Sequence, residues 1–381
     1  MHAIAHSLLV ILATLVQGPA TTQSLPDAPG YSRPYEVDWA RGLTEGLGEV
    51  EVSGKWGYID ARGKLAIEPR YDQAMPFSEG VAPVRAGTVI DTPKAALFGL
   101  AGSWRFIGRD GTKFGREFTM SLPFSEGLAA VGLGGAHAMD RPPKFGYFSL
   151  QGTLAIPAQF MSCQPFSEGL AVVEAMTQLK GYVDLRGNAV IPARYRWAGK
   201  FSRGRALVLE GDDHFIINAK GEQVAALACD QVQAFAFFEG MSAIAQHGKW
   251  GFVDDNGRLL IPCQFEAVGP FCEGLAAAVE AGKLGFINRE GHFVIRPQFD
   301  APQQARAINL SGTSSYPYFS EGLAALAKDG RWGYIDRDAQ WVIPPQFDLA
   351  GAFTEGAAKV AVGNKLGYID RRGEYIWKPT R

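Results

Sequence analysis

Little in this chain points to a reaction. Its 381 residues hold only four cysteines and six histidines, with no Cys-x-x-Cys pair and no His-Glu-x-x-His run, so neither a zinc ribbon, a dithiol redox centre nor a zinc hydrolase is supported. No Gly-x-Ser-x-Gly elbow occurs. The one glycine-rich run, Gly132-Leu133-Gly134-Gly135, lacks the strand-to-helix setting of a phosphate loop. Basic excess is missing too: 37 Lys and Arg stand against 39 Asp and Glu, a formal charge of −2, which argues against a dedicated nucleic-acid binder. Sustained helical periodicity is absent, and beyond residue 16 there is no long apolar run.

What the chain has is repetition. Phe-Ser-Glu-Gly and its near copies recur, each followed by a Lys-Trp-Gly-Tyr-Ile-Asp-like run and a Val-Ile-Pro-like run. The Glu precedes the Gly of the Trp-Gly step by twelve residues (Glu45 to Gly57, Glu239 to Gly251, Glu273 to Gly285, Glu321 to Gly333, Glu355 to Gly367). The basic period is 34 residues, written about nine times. Such a period marks an array in which one unit buries its apolar face only against neighbours. Three units are lengthened, at Ala86 to Gly102, Gly132 to Pro143 and Ala301 to Tyr318.

Each unit reads as three short strands. The runs are too short and too β-rich for a helical stripe. The second ends in Asp-x-x-Gly or a variant (Asp60 to Gly63, Asp184 to Gly187, Asn218 to Gly221, Asp254 to Gly257, Asn288 to Gly291, Asp370 to Gly373), the chemistry of a type I turn closed by glycine. The third runs into Ile-Pro, where proline ends the ladder or sits on its edge. Two architectures accommodate nine such units. The expectation is an open β-solenoid or superhelical array, since the phase begins at a first strand and ends after a third with no split unit to latch a ring; a closed β-propeller is the alternative.

The leader is of another kind. Residues 7–16 are apolar and followed by Gly18 and Ala20, so residues 1–20 read as a signal peptide, 21–42 as a flexible linker and 43–381 as the repeat domain. The run is too short for a stable membrane span. Export to the periplasm or the extracellular space is the expectation. An exported chain could oxidise its thiols, yet Cys163, Cys263 and Cys272 fill slots held elsewhere by Ala or Ser, as small buried residues would.

Candidate site residues come in three groups. Eight glutamates fill the turn slot (Glu45, Glu79, Glu126, Glu168, Glu239, Glu273, Glu321, Glu355), with Arg203 the exception; their identical surroundings argue for backbone N–H acceptance rather than paired acid chemistry. Arg62, Arg109, Arg186, Lys220, Arg289, Arg337 and Arg371 share the hairpin turn and would line one edge as a cationic ridge. The inserts offer the third group: His137 and Arg141 in one, and Tyr316 and Tyr318, whose rings suit stacking on a sugar or peptide, in another. No catalytic residue, metal site or cofactor emerges.

The Trp56-Gly57, Trp250-Gly251 and Trp332-Gly333 pairs, each in a Lys/Arg-Trp-Gly-Tyr/Phe-x-Asp run after the Glu-Gly turn, resemble the bacterial Trp-Gly (WG) repeat family over about residues 43 to 381. Phe145, Lys180, His214, Leu284 and Leu366 replace the Trp, and Arg105 replaces the Gly after Trp104. The resemblance implies an all-β, often envelope-associated protein with an interaction role and transfers no catalytic residues. The reading is a noncatalytic binding or scaffolding protein of the bacterial cell envelope recognising a protein or a glycan. A carbohydrate-active enzyme with its site in the inserts, or a structural envelope spacer, is the alternative.

Overall fold

Residues 42–86, 103–134, 144–233, 236–301, 316–363 and 365–379 are described by the structure, a computed structural model. The three strands expected of each unit are present, and a fourth joins them. In blade 1, Leu47–Val52, Lys55–Asp60 and Leu65–Tyr71 form a three-stranded antiparallel meander. In blade 2, Val81–Ala86, Ser103–Gly108 and Lys113–Phe118 repeat it, with the two-residue strand Gln73–Ala74 added at the first strand's free side. Seven further four-stranded sheets follow, six on the same plan and one, blade 8, whose short strand Phe319–Ser320 is the near arm of its Glu321-Gly322 turn, so the described chain makes nine blades. Two residues carry no alternation for a pattern to show, which is why the fourth strand was not expected.

Glutamate beside glycine sets the first turn. In Ser78-Glu79-Gly80-Val81 the two central residues both take positive φ, 55° and 82°, and Ser78 N donates to Val81 O at 2.9 Å. That is a type I′ hairpin, whose twist matches the strands it joins. A second turn, Asp60 to Gly63, has Gly63 N donating to Asp60 O at 3.0 Å while the Asp60 carboxylate accepts from Arg62 N and Lys64 N, both at 2.9 Å. This is the Asp-x-x-Gly turn read from the sequence.

The Trp-Gly step has a steric origin. In blade 6, Trp250 pairs with Phe265 and Phe252 with Ile261, so two residues of one strand face four of the other and the Ile-Pro segment bulges. A Cβ on Gly251 would lie 2.4 Å from Ile261 O, against backbone that cannot yield. An Ile-Pro bulge opposite therefore favours glycine at this step. Blade 5 supplies the control: Phe215 occupies the glycine slot, and the strand opposite, Gln223–Leu227, contains no proline and pairs in regular register with His214, Phe215 and Ile216. In blade 2, where Arg105 fills the slot, the bulge survives through Gly115 at φ 73°. Proline in the third strands of blades 1, 3, 4, 6, 7 and 8 also denies those sheet edges a donor, which discourages pairing with another chain.

Blades adhere through their faces. The second-strand aromatic of one blade meets the turn Phe of the next edge-on, as in Tyr58–Phe77 (4.8 Å between centroids), Tyr182–Phe201 (4.9 Å) and Tyr334–Phe353 (4.8 Å). The Tyr hydroxyls then donate across the gap to Met75 O, Gly199 O and Gly351 O at 2.7–2.8 Å. Full burial of each such ring is worth roughly 2–3 kcal/mol, and the pairing adds about 1 kcal/mol.

The expected open solenoid is overturned by the last such interface. Blade 9 packs on blade 1: Leu43, Val50 and Ile59 form one core with Ala357 and Tyr368, and Leu43 N donates to Thr354 O at 3.2 Å. The nine blades thus form a closed ring, a β-propeller. No strand is exchanged at the seam among the described residues, because blade 1 is built wholly from residues 47–71 and blade 9 wholly from 349–377. A latch by split blade is unnecessary where faces dock. Leu43 replaces the turn Phe here, and the slot four residues after the turn Glu, apolar in the other blades, holds Glu49 and Lys359. These two are 4% and 8% exposed and pair at 3.3 Å, and the Tyr368 hydroxyl donates to Glu49 O at 3.0 Å.

Candidate functional site

The turns meet in an annulus whose nine steps are joined by a carboxylate at eight places. Each turn's carboxylate reaches the backbone of the next blade's turn: Glu45 accepts from Gly80 N (3.0 Å), Glu79 from Gly127 N (2.9 Å), and Glu126 from both Glu168 N (2.6 Å) and Gly169 N (2.8 Å). Glu168 then accepts from Arg203 N and Gly204 N, Glu239 from Gly274 N (3.1 Å), Glu273 from Gly322 N (3.0 Å) and Glu321 from Gly356 N (3.1 Å). Glu355 joins blade 9 to blade 1 at Glu45 N (2.9 Å) and Gly46 N (2.6 Å). The type I′ turn aims two successive N–H groups outward, and a carboxylate with two oxygens fits them. Eight glutamates are thereby explained as links between blades. This matches the acceptor role read from their sequence setting.

The hairpin-turn cations divide by position. Arg109, Arg289, Arg337 and Arg371 stand second in their turns and donate to the turn-slot carbonyl of the preceding blade: Arg109 to Glu45 O (2.7 Å), Arg289 to Glu239 O (3.0 Å), Arg337 to Glu273 O (2.8 Å) and Arg371 to Glu321 O (2.7 Å). Three of them also face the carboxylate, Arg109–Glu45 at 3.6 Å, Arg289–Glu239 at 3.3 Å and Arg337–Glu273 at 3.1 Å. Arg62, Arg186 and Lys220 stand third, and their backbone N–H groups are held by Asp60, Asp184 and Asn218. The expected ridge is thus two sets with different surroundings, and the first set is spent on the carboxylate annulus.

Tyr316 is buried in the core between blades 7 and 8 with Ala267, Ala277 and Phe319, and burial pushes its hydroxyl up to about 12. Its ring is thus enclosed rather than offered for stacking. Tyr318 is half-buried. His137 and Arg141 lie outside the described residues. All four cysteines are free thiols, Cys163 fully buried and Cys229 raised to about 11 by burial first and by Asp230 next. Among the described residues no group of three His, Cys, Asp or Glu converges as a metal site would, and no helix is long and apolar enough to cross a membrane.

The Asp turns carry a pH signature. Backbone donation from Lys64 holds the Asp60 carboxyl below its ordinary value, side-chain donation from Asn188 does so for Asp184, and Thr112 does so for Asp110. A depressed folded value contributes stability that is present above the ordinary carboxylate range, near pH 4, and lost as pH falls through the depressed one. Thermal melts of Asp60→Asn and Asp184→Asn should therefore fall less steeply than wild type below about pH 4. An unchanged slope would assign the acid lability to other carboxylates.

Seven stretches of the sequence, residues 56–87, 145–175, 181–212, 215–250, 250–283, 285–301 and 332–365, match the model of the WG containing repeat. The chain belongs to the WG-repeat family. No curated protein matches it. Among solved structures, this WG-repeat chain is similar to a eukaryotic initiation factor at 12% identity, over 87% of its own length and 95% of the other's, with a TM-score of 0.59, a likeness of fold alone. BamB from Moraxella catarrhalis is matched at 11% identity over 88% and 96%, with a TM-score of 0.39, and the computationally designed Ika8 protein at 12% over 79% and 93%, with a TM-score of 0.45.

Two features escaped the sequence reading. The Glu49–Lys359 pair had a signal, two charges of opposite sign in an otherwise apolar slot, which becomes legible once blades 1 and 9 are neighbours. The division of the turn cations by position needed the direction in which each turn faces its neighbour.

Proposed function

We propose that this WG-repeat propeller is a noncatalytic binding or scaffolding protein of the bacterial cell envelope, presenting one face of the ring to a protein or glycan partner. The observation that carries this reading is a departure from regularity in adjacent blades. Where blade 1 joins its first two strands by Ser53-Gly54 and blade 6 by His247-Gly248, two-residue turns, blades 2 and 3 join theirs between Ala86 and Ser103 and between Leu133 and Lys144. Trp104 and Leu133, at the feet of these two connections, pack in one cluster, so the described ends of the two connections are neighbours. Long connections on a rigid repeat scaffold commonly form its binding face.

Shortening both connections to Asn-Gly is expected to leave the melting temperature within a few degrees of wild type and to abolish capture of the partner from an envelope extract. Retained capture would move the binding face elsewhere on the ring. The export half of the reading is tested separately: amino-terminal sequencing of the native protein should find a mature chain beginning near Thr21 in the extracytoplasmic fraction. An intact Met1 on cytoplasmic protein would reject it.

A further inference from the structure

One step of the annulus is built differently. Arg203 stands where the other eight turns carry glutamate, and it precedes the Glu239-Gly240 turn of blade 6. That turn has the same conformation as its equivalents, with φ of 51° and 80°. Its N–H pair therefore faces the same way as the pairs of Glu168-Gly169, Arg203-Gly204 and Glu45-Gly46, each of which grips both oxygens of one carboxylate. Here no carboxylate is supplied among the described residues, and the Arg203 guanidinium lies against the turn glycine on its Cα side: a Cβ placed on Gly240 would lie 2.2 Å from Arg203 Nη1. Backbone and guanidinium donors thus gather at one turn that no internal carboxylate serves, a combination that an oxyanion reaching both would stabilise.

The opposing charge is also exchanged. In the second position of the blade 6 hairpin turn, where blades 2, 7, 8 and 9 carry arginine, this blade carries Asp255. Asp255 makes no ion pair with Arg203 within 4 Å among the described residues; its carboxylate accepts instead from Asn256 Nδ2 at 3.1 Å. The neighbouring carboxylates are engaged as well, Glu168 by the Arg203-Gly204 turn and Glu239 by Gly274 N and Arg289.

We propose that the Arg203 guanidinium and the N–H groups of Glu239 and Gly240 form a binding site for a carboxylate supplied from outside the chain. Eight copies of the cradle in this ring already hold a carboxylate, so the chemistry of the ligand is read from the molecule's own repeats. The surrounding acidic annulus disfavours free small anions, so the site suits an Asp or Glu side chain of a protein partner, held by further contacts. The site is distinct from the blade 2 and blade 3 connections, and its test is independent of theirs.

Amide resonances of the full chain decide the matter. Titrating sodium acetate against sodium chloride at constant ionic strength should shift the Gly240 and Glu239 amides saturably in wild type. A short peptide with blocked ends and one glutamate is the second arm; tighter binding than acetate identifies a partner's side chain as the ligand, and equal binding identifies small carboxylates. In Arg203→Glu the ninth carboxylate is restored internally, so the Gly240 amide should start at the bound position and not respond. Arg203→Ala keeps the cradle without the cation and should bind about tenfold more weakly, a loss of about 1.4 kcal/mol. The assignment is overturned if wild type shows no saturable shift at Gly240, or if Arg203→Glu responds as wild type does.

Discussion

Replacing Lys359 by methionine destabilises the ring by about 3–5 kcal/mol, the cost of leaving a buried charge without its partner. Glu49 is only 4% exposed at the seam between blades 1 and 9, where its carboxylate meets Lys359 and its carbonyl accepts from Tyr368. The double variant Glu49→Leu with Lys359→Met recovers most of the loss, because well-packed apolar side chains commonly serve as well as a buried pair. Met at Arg337, which faces Glu273 at 3.1 Å on the exposed annulus, costs under about 1 kcal/mol. Urea midpoints of the four proteins check the set. Equal loss in Lys359→Met and Arg337→Met would deny the seam its special weight.

The second large effect belongs to the Trp-Gly step. Gly251→Ala is expected to cost about 3 kcal/mol or more, since the added methyl would stand 2.4 Å from Ile261 O and 2.7 Å from Cys263 N. Gly274→Ala, at φ 78° with open space around it, carries only the conformational cost of about 1 kcal/mol. Guanidinium denaturation of both variants separates contact from conformation. Near-equal losses would mean that the bulge is soft and that conformational preference alone keeps the family's glycine.

Much of this was legible from one chain. Periodicity gave the strands, Asp60 and Gly63 gave the turn, and the uniform surroundings of the eight glutamates pointed to backbone acceptance, because each of these is decided within a unit. Closure was not legible in the same way. It depends on how Tyr368 and Leu43 dock across a separation of more than three hundred residues, and the strand phase at either end is the same for an open array and for a ring whose seam exchanges no strand. The fourth strands, such as Gln73–Ala74, are too short for any alternation. The division of Arg109, Arg289, Arg337 and Arg371 from Arg62, Arg186 and Lys220 was present as a one-residue offset, but an offset acquires meaning only when the turn's neighbour is known. Arg203 was visible as an exception; what made it chemical was the N–H pair that blade 6 sets against it.

The annulus has a consequence for where the polypeptide is allowed to start. Glu355 grips the turn of blade 1 as Glu126 grips that of blade 4, so the step between chain ends is hydrogen-bonded like a step inside the chain. Termini are then an address on the circle rather than a weakness in it. A circular permutant that joins residue 379 to residue 42 through a short linker and opens between two other blades keeps every turn-to-turn contact and keeps Glu49 beside Lys359. The ring has, in that sense, no first blade.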